Sequence, residues 1–399
     1  MRQAFLWMRD AEGEAPFWQE DLAGINVLHR QLLCLRRGGI ARVRIVGEEA
    51  PRALAWISRW AKDPRLEGLE VEADGAVPAG ELALVVDARH VFPPGLILDA
   101  LRRERPFVYL DTAGASGATG LSTAASISSD APQLAPPAPL FLARVDTPDG
   151  RQRAERLLLA SLGKATDGWF SRHFNRPLSL WITRKLATRA VSPNQMTAVT
   201  LLVGLASGLV SAFGGYGPFL AGALLFQLAS VLDGVDGELA RLRFEESLRG
   251  EWLDTVCDDV TNVAYFAGLT VGLWRTRSPT WIVACGIAAL ALDVATVGFL
   301  YWRIASRLGG RSLLAFQREM EAPELRSRPW VRFLLGLQRL VKRDAYGVAF
   351  VLLALVSASW LVLPLSALAL AVTLPAVVGM EIRAVLNRPA SGPGRPPPP

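Results

Sequence analysis

The sequence predicts an N-terminal α/β domain followed by an all-α, six-helix transmembrane domain. Three observations predict it. Short strand-like runs alternate with amphipathic stretches up to about residue 145. Six apolar runs of membrane length follow at about 195–213, 216–234, 254–274, 279–301, 345–362 and 364–383. The 399 residues are 51% hydrophobic with a mean hydropathy of +0.26, too apolar for an ordinary soluble enzyme.

In the first 150 residues, "QAFLWM", "ARVRIVG", "LEGLEVEA", "ELALVVDA", "PFVYLDT" and "PLFLARVDT" read as strands. "NVLHRQLLCLRRGG" and "PRALAWISRWAKD" read as amphipathic helices between them, an order that favours a largely parallel sheet. "GASGATGLSTAASISSDAPQLAPPAP" reads as a flexible loop. The opening "MRQAFLWMRDAEGEAP" has too short an apolar run for a signal peptide, so this end is expected in the cytoplasm.

Residues 151–192 are basic, amphipathic and tryptophan-bearing, and are expected to lie on the membrane surface. Ser192 is placed to cap the next helix, with Pro193 in its first turn. Residues 193–386 make the transmembrane domain, and the Pro-rich tail 387–399 is expected to be disordered. The strongly basic link after the fourth run puts both ends and the acidic links on the cytoplasmic side of the inner membrane. Arg275 and Arg277 fall on the other side. The net charge of +6 follows the same rule, and no nucleic-acid partner is expected. Cys34, Cys257 and Cys285 fit no metal or disulfide spacing, and His29, His90 and His173 are scattered.

The chemistry is concentrated in Asp233–Asp258, "DGVDGELARLRFEESLRGEWLDTVCD". Asp233, Asp236, Gly237, Ala240 and Arg241 recur at helical spacing and share a face. Gly250, Asp254 and Asp258 form the face of a second helix. If the two helices pack, four carboxylates converge, and Gly237 and Gly250 let a ligand come close. A solvated acidic helix end would explain charge near a membrane boundary, but not the common face. Arg241 alone does not balance four carboxylates. An all-oxygen donor set selects hard cations, Mg²⁺ or Mn²⁺, and two ions would neutralise it and clamp a phosphate. Asp293 lies inside an apolar run, where a charge is costly, so a functional or bundle-stabilising role is expected. Asp259 reads as capping or solvated, and Lys342 and Arg343 are candidates to receive an acceptor phosphate.

The pattern D-x2-D-G-x2-A-R-x8-G-x3-D-x3-D resembles the signature of the CDP-alcohol phosphotransferase (phosphatidyltransferase) family at all eight fixed positions. The likeness covers about 165–385 and includes "PNQMT", which resembles the family's Pro-Asn-x-x-Thr start. The resemblance implies metal ligation by Asp233, Asp236, Asp254 and Asp258, with Asp258 also the general base and Asp254 beside it in catalysis. It places the cytidine nucleotide near Gly237, Ala240, Arg241 and Gly250, with Asn194 and Thr197 at the site's other helix. It implies attack of an alcohol on a CDP-linked donor with release of CMP, and a homodimer among membrane lipids.

The front domain resembles sugar nucleotidyltransferases, and the whole layout resembles the bifunctional inositol-1-phosphate cytidylyltransferase and di-myo-inositol-phosphate-phosphate synthase enzymes. It departs from them where their chemistry happens. "RDAEGEAPFWQEDLAG" has no Gly-rich triphosphate loop with its basic residue, and Arg89 stands where a metal-binding Asp is expected, with Asp87 two residues earlier. This domain, residues 1–150, is therefore expected to be catalytically inactive. Two other readings compete: a pseudoenzyme or membrane-anchored regulatory protein, and an ion-coupled transporter. The complete aspartate set argues against both.

Overall fold

The computed structural model describes residues 3–8, 16–73, 83–112 (except 104 and 106), 121–122, 132–163, 167–307 and 343–386. Two compact units account for the chain. The first comprises 1–165, 180–191 and 237–246, and the second comprises 166–179, 192–236 and 247–399.

The alternating apolar runs of the first unit form a seven-stranded sheet among the described residues. Its order is Gln133–Leu134, Val108–Tyr109, Leu121–Ser122, Leu84–Asp87, Gln3–Trp7, Arg42–Val46, Glu70–Ala73. Gln3–Trp7 runs parallel to both neighbours, Arg42–Val46 and Leu84–Asp87, as its apolar centre demands. Leu121–Ser122 is antiparallel to its neighbours. Two of these strands lie in the stretch read as a loop, which therefore supplies one edge strand, Gln133–Leu134, and one interior strand, Leu121–Ser122; its remaining residues lie largely outside those described. Ala143–Arg144 leaves the main sheet and pairs antiparallel with His90–Val91.

The core helix Val27–Arg37 starts where the Asn26 side chain accepts from His29 N (3.3 Å), and it buries Leu28, Leu32 and Leu33. Pro148–Ala160 is capped by Thr147 and buries Ala154, Leu158 and Leu159 in the same core. Farther along, Trp169, Phe174, Leu178 and Trp181 are exposed.

Arginines organise the last segment of this unit. The final carbonyls of a helix lack intrahelical donors. Arg30 Nη1 donates to Leu242 O (3.0 Å), Arg65 Nη1 to Arg243 O (2.7 Å) and Arg37 Nη2 to Phe244 O (3.1 Å). Arg243 in turn donates to the carbonyls of Leu186 (2.8 Å), Ala187 (3.1 Å) and Arg189 (2.6 Å), closing the turn after Arg176–Leu186.

His29 stacks on Trp60 with ring centroids 4.4 Å apart, and its Nε2 lies 2.9 Å from Asp63 Oδ2. Burial, followed by the Arg65 charge, pushes its pKa down to about 4. The unfolded chain takes up that proton near 6.5, so the contribution of His29 to stability is full above 6.5 and is lost as pH falls through about 4. We expect the melting temperature of the whole chain to fall across that window, and His29→Gln to flatten this part of the profile. An unchanged profile in the variant would remove His29 from the account.

In the second unit, helices cover Pro193–Ser211, Tyr216–Arg243, Leu248–Arg275, Thr280–Arg307, Arg343–Leu355 and Val362–Leu386, with Tyr216–Arg243 continuing into the first unit. Three stretches are long and apolar enough to cross a membrane: Pro193–Ser211, Tyr216–Arg243 and Thr280–Trp302. Leu248–Arg275 is long enough, but Arg249, Glu251, Asp254, Asp258 and Asp259 make its first half polar. The last break falls earlier than the expected 362–364 corner. Ser357 takes a positive φ of 59°, and Pro364 falls in the first turn of the next helix, where no intrahelical donor is needed. The capping box at Ser192 is present: Gln195 N donates to Ser192 Oγ (3.2 Å) and Ser192 N to Gln195 Oε1 (2.9 Å).

Pro193–Ser211 and Leu248–Arg275 touch backbone to backbone. A Cβ on Gly268 would lie 1.9 Å from Gly208 O, and one on Gly208 would lie 2.2 Å from Ala264 O. Glycines four apart on both helices (Gly204 and Gly208, Gly268 and Gly272) make this approach. The aromatic cluster Phe226, Tyr265, Phe266 and Phe350 packs beside it.

Candidate metal and phosphoryl-transfer site

Asp233 lies on Tyr216–Arg243, and Asp254 and Asp258 lie one turn apart on Leu248–Arg275. Ser247 sets the start of the second helix by accepting from Gly250 N (3.1 Å). That start fixes which face Asp254 and Asp258 occupy. One carboxylate oxygen from each of Asp233, Asp254 and Asp258 falls within 4.8 Å of the other two. Asp233 Oδ1 is buried without a hydrogen-bond partner among the described residues. A hard cation about 2.1 Å from each oxygen would hold them roughly 3–4 Å apart. The three oxygens and the orphaned Asp233 atom therefore fit a divalent ion of the Mg²⁺ or Mn²⁺ class.

Asp236 was expected in the same set. It is 4% exposed and accepts from Thr197 Oγ1 at 2.5 Å, while the same hydroxyl lies 3.3 Å from Pro193 O. Thr197 thus ties the start of Pro193–Ser211 to the helix of the aspartates. Asn194 lies nearby: a Cβ on Gly250 would sit 3.5 Å from Asn194 Oδ1 and 3.1 Å from Ser247 Oγ. Gly237, Ala240 and Arg241 follow on the portion of Tyr216–Arg243 that belongs to the first unit. There Arg241 Nη2 donates to Leu162 O (3.2 Å), and a Cβ on Gly237 would meet Arg241 Nη1 at 3.1 Å.

Arg343 is brought to the carboxylates. Its Nη1 donates to Asp258 Oδ1 and lies 4.0 Å from Asp233 Oδ1. Its Nε and Nη2 are buried without hydrogen-bond partners among the described residues. The guanidinium also sits 5.4 Å from the Phe226 ring centroid. Lys342, its expected companion, lies outside the described residues.

Asp259 corrects the sequence reading. It sits inside the helix rather than at a cap, and its half-buried carboxylate accepts from Tyr301 Oη at 2.5 Å. Tyr346 Oη donates to Asn262 Oδ1 at 3.2 Å. Asp293 is buried, 9% exposed. Sequence reasoning missed Tyr301 and Tyr346, because an aromatic inside an apolar run reads as membrane-facing bulk. It also missed Glu238, which is fully buried and accepts from Thr183 Oγ1 at 2.6 Å. Only its carboxylate in a helical run could have flagged it.

In the first unit, the Asp87 carboxylate is 0% exposed and is held by Arg89, whose Nη2 lies 2.8 Å from Oδ2 and whose backbone N lies 2.9 Å from Oδ1. The Arg89 guanidinium therefore covers the Asp87 carboxylate.

Comparison with known proteins locates a family in the second half of the chain. Residues 190–317 match the CDP-alcohol phosphatidyltransferase family. The chain is 39% identical over 147 residues to the bifunctional IPC transferase and DIPP synthase of Thermococcus kodakarensis, covering 37% of this chain and 32% of that protein. The protein of the same name from Rubrobacter xylanophilus is 40% identical over 148 residues, with the same coverage of 37% and 32%. The phosphatidylinositol phosphate synthase of Corynebacterium glutamicum is 33% identical over 103 residues, 25% of this chain and 45% of that protein. The matched stretch thus spans about a third of the length of the two bifunctional relatives.

Proposed function

We propose, from the family match of residues 190–317 and the converging carboxylates, that this chain is a membrane-embedded CDP-alcohol phosphotransferase. It would move a phosphoalcohol group from a CDP-linked donor to an acceptor hydroxyl and release CMP. The observation that carries the reading is the meeting of Asp233, Asp254 and Asp258 across two helices, each at its position in the family signature. The names of the relatives point to phosphatidyl or inositol-phosphate groups as the cargo.

In this reading all six helices of the second unit cross the inner membrane, with both ends and the carboxylates on the cytoplasmic side, and two chains form a homodimer. Asp233, Asp236, Asp254 and Asp258 would hold a pair of divalent ions, which supply countercharge to the transferring phosphate. Asp258 takes the proton from the acceptor hydroxyl as its oxygen bonds to phosphorus and the phosphorus–oxygen bond to CMP breaks. Gly237, Ala240 and Gly250 leave space for the nucleotide, Arg241, Asn194 and Thr197 fix its surroundings, and Arg343 receives an anionic group of the acceptor. The first unit serves as a scaffold without chemistry of its own, a reading supported by the Arg89–Asp87 pair.

The test is CMP release by the purified protein in detergent. CDP-diacylglycerol and CDP-inositol would be offered as donors against inositol phosphate, inositol and glycerol phosphate, with Mg²⁺ or Mn²⁺ and then with chelator. We expect metal-dependent CMP release with one donor–acceptor pair. A folded, metal-loaded protein that releases no CMP with any pair would overturn the proposal.

A further inference from the structure

The end of the second unit away from the carboxylates holds a cavity of about 490 Å³. It lies where Tyr216–Arg243 begins, Leu248–Arg275 ends, Thr280–Arg307 begins and the stretch 356–361 joins the last two helices. From Tyr216 to Asp233 the helix climbs roughly 25 Å at about 1.5 Å per residue. That is most of a hydrocarbon layer about 30 Å thick. A membrane crossed by these helices therefore has the carboxylates at one face and the cavity at the other.

The cavity has an apolar floor, since Phe219, Leu273 and Ile282 line it and are buried. Trp281 and Trp360 form a wall, edge to face with ring centroids 6.0 Å apart, and both remain exposed. Indole rings of this kind settle at the boundary between hydrocarbon and water.

Charge at this end is one-sided. The stretches 212–215, 276–279 and 356–361, with the helix ends they join, carry Arg275 and Arg277 and no acidic residue. Both arginines are exposed, and they bracket Thr276, which lines the cavity. The turn is fixed by Arg277 N donating to Trp274 O (3.0 Å) and Ser278 N to Leu273 O (3.0 Å). Arg277 takes a φ of 57°, just past a helix end, where glycine is the easier residue. These are also the two arginines that stand on the side opposite the basic link after the fourth run, against the usual distribution of charge.

An apolar floor, an aromatic wall and two cations without a local anion match an amphiphile with a hydrocarbon chain and an anionic head. A zwitterionic head matches less well, because it brings its own cation to the arginines. A water-soluble anion leaves the apolar floor uncovered.

We propose that this cavity takes an acyl chain of an anionic phospholipid, whose phosphate is held by Arg275 and Arg277. The proposal rests on the membrane-spanning part of the reading above and not on its phosphoryl-transfer chemistry.

In the test, the full chain in nonionic detergent is mixed with equal amounts of phosphatidylglycerol and phosphatidylcholine of matched chain length. Retained lipid is identified by native mass spectrometry. The wild type is expected to keep one phosphatidylglycerol per chain, preferred about thirtyfold, from a factor of about five for each arginine near the membrane surface. In the double variant Arg275→Gln/Arg277→Gln the preference should fall to near parity while a lipid is still kept. Ser278→Phe places a ring in the cavity lining and should abolish retention of both lipids, whereas Ser278→Ala should keep it. Thermal melts show that each variant is folded, and Ser278→Leu replaces the phenylalanine variant if that one does not fold. A wild type that keeps neither lipid or both equally, an unchanged preference in the arginine variant, or undiminished retention in the filled variant would each overturn the site. CMP release from the same preparations decides the transferase reading separately. Lipid retention without CMP release leaves the site standing, and CMP release without retention strikes the site alone.

Discussion

Asp258→Asn is expected to reduce CMP release by about 10²–10⁴-fold, the usual size of a general base's contribution. The side chain keeps its shape, so packing between Tyr216–Arg243 and Leu248–Arg275 is retained. What it loses is a proton acceptor at the hydroxyl and one of the three oxygens within 4.8 Å of one another. It also leaves Arg343 without the carboxylate that Nη1 meets, so the guanidinium has only Asp233, at 4.0 Å, as a counterion. Donor affinity should change far less than kcat, because in the proposed site other residues hold the nucleotide. The measurement is kcat and donor KM for CMP release, together with a thermal melt to show the variant is folded. A variant with more than a tenth of wild-type kcat would show that Asp258 is not the base. A rise in donor KM with kcat unchanged would assign it to binding.

Gly268→Ala is the second change with a large expected effect, and it acts through packing. The new methyl would lie 1.9 Å from Gly208 O, 2.5 Å from Gly208 C and 2.7 Å from Gly208 Cα. These are backbone atoms of a facing helix, so no rotamer change relieves the clash and the helices must part. Overpacking of this kind costs typically 1–3 kcal/mol, and the backbone contact puts this site at about 3 kcal/mol or more. The parted helices carry Thr197 on one side and Asp254 and Asp258 on the other, so activity should fall along with the melting temperature. Gly298→Ala is the matched control: the glycine is helical, nothing lies within 4 Å of its added Cβ, and alanine is the better helix former by up to about 1 kcal/mol. Equal melting temperatures for the two variants would refute the close-packing account.

Much of the fold was legible because it depends on local pattern. The period-2 runs of the first unit and the unbroken apolar runs of the second are dictated by what each backbone segment must bury, and Ser192-Pro193 announces a helix start through chemistry confined to four residues. The spacing of Asp233, Asp254 and Asp258 is local in the same way, and one oxygen of each lies within 4.8 Å of the others. Boundaries were less legible. Tyr216–Arg243, Leu248–Arg275 and Thr280–Arg307 extend past their apolar runs, because hydrogen bonding does not stop where hydropathy does, while Arg343–Leu355 stops short of its run.

By itself, then, the sequence determined the order of an α/β region and a helical region, the largely parallel sheet and the helical spacing of the carboxylates. Only the tertiary structure decided which partners those residues take. It turned Asp236 to Thr197, Arg343 to Asp258, Asp259 to Tyr301 and Arg89 onto Asp87. Those pairings join residues distant in the chain, or depend on side-chain direction and burial, and both are set when helices and strands pack. Hydrophobic periodicity records which face of an element is buried, but not which polar group waits on the element it meets.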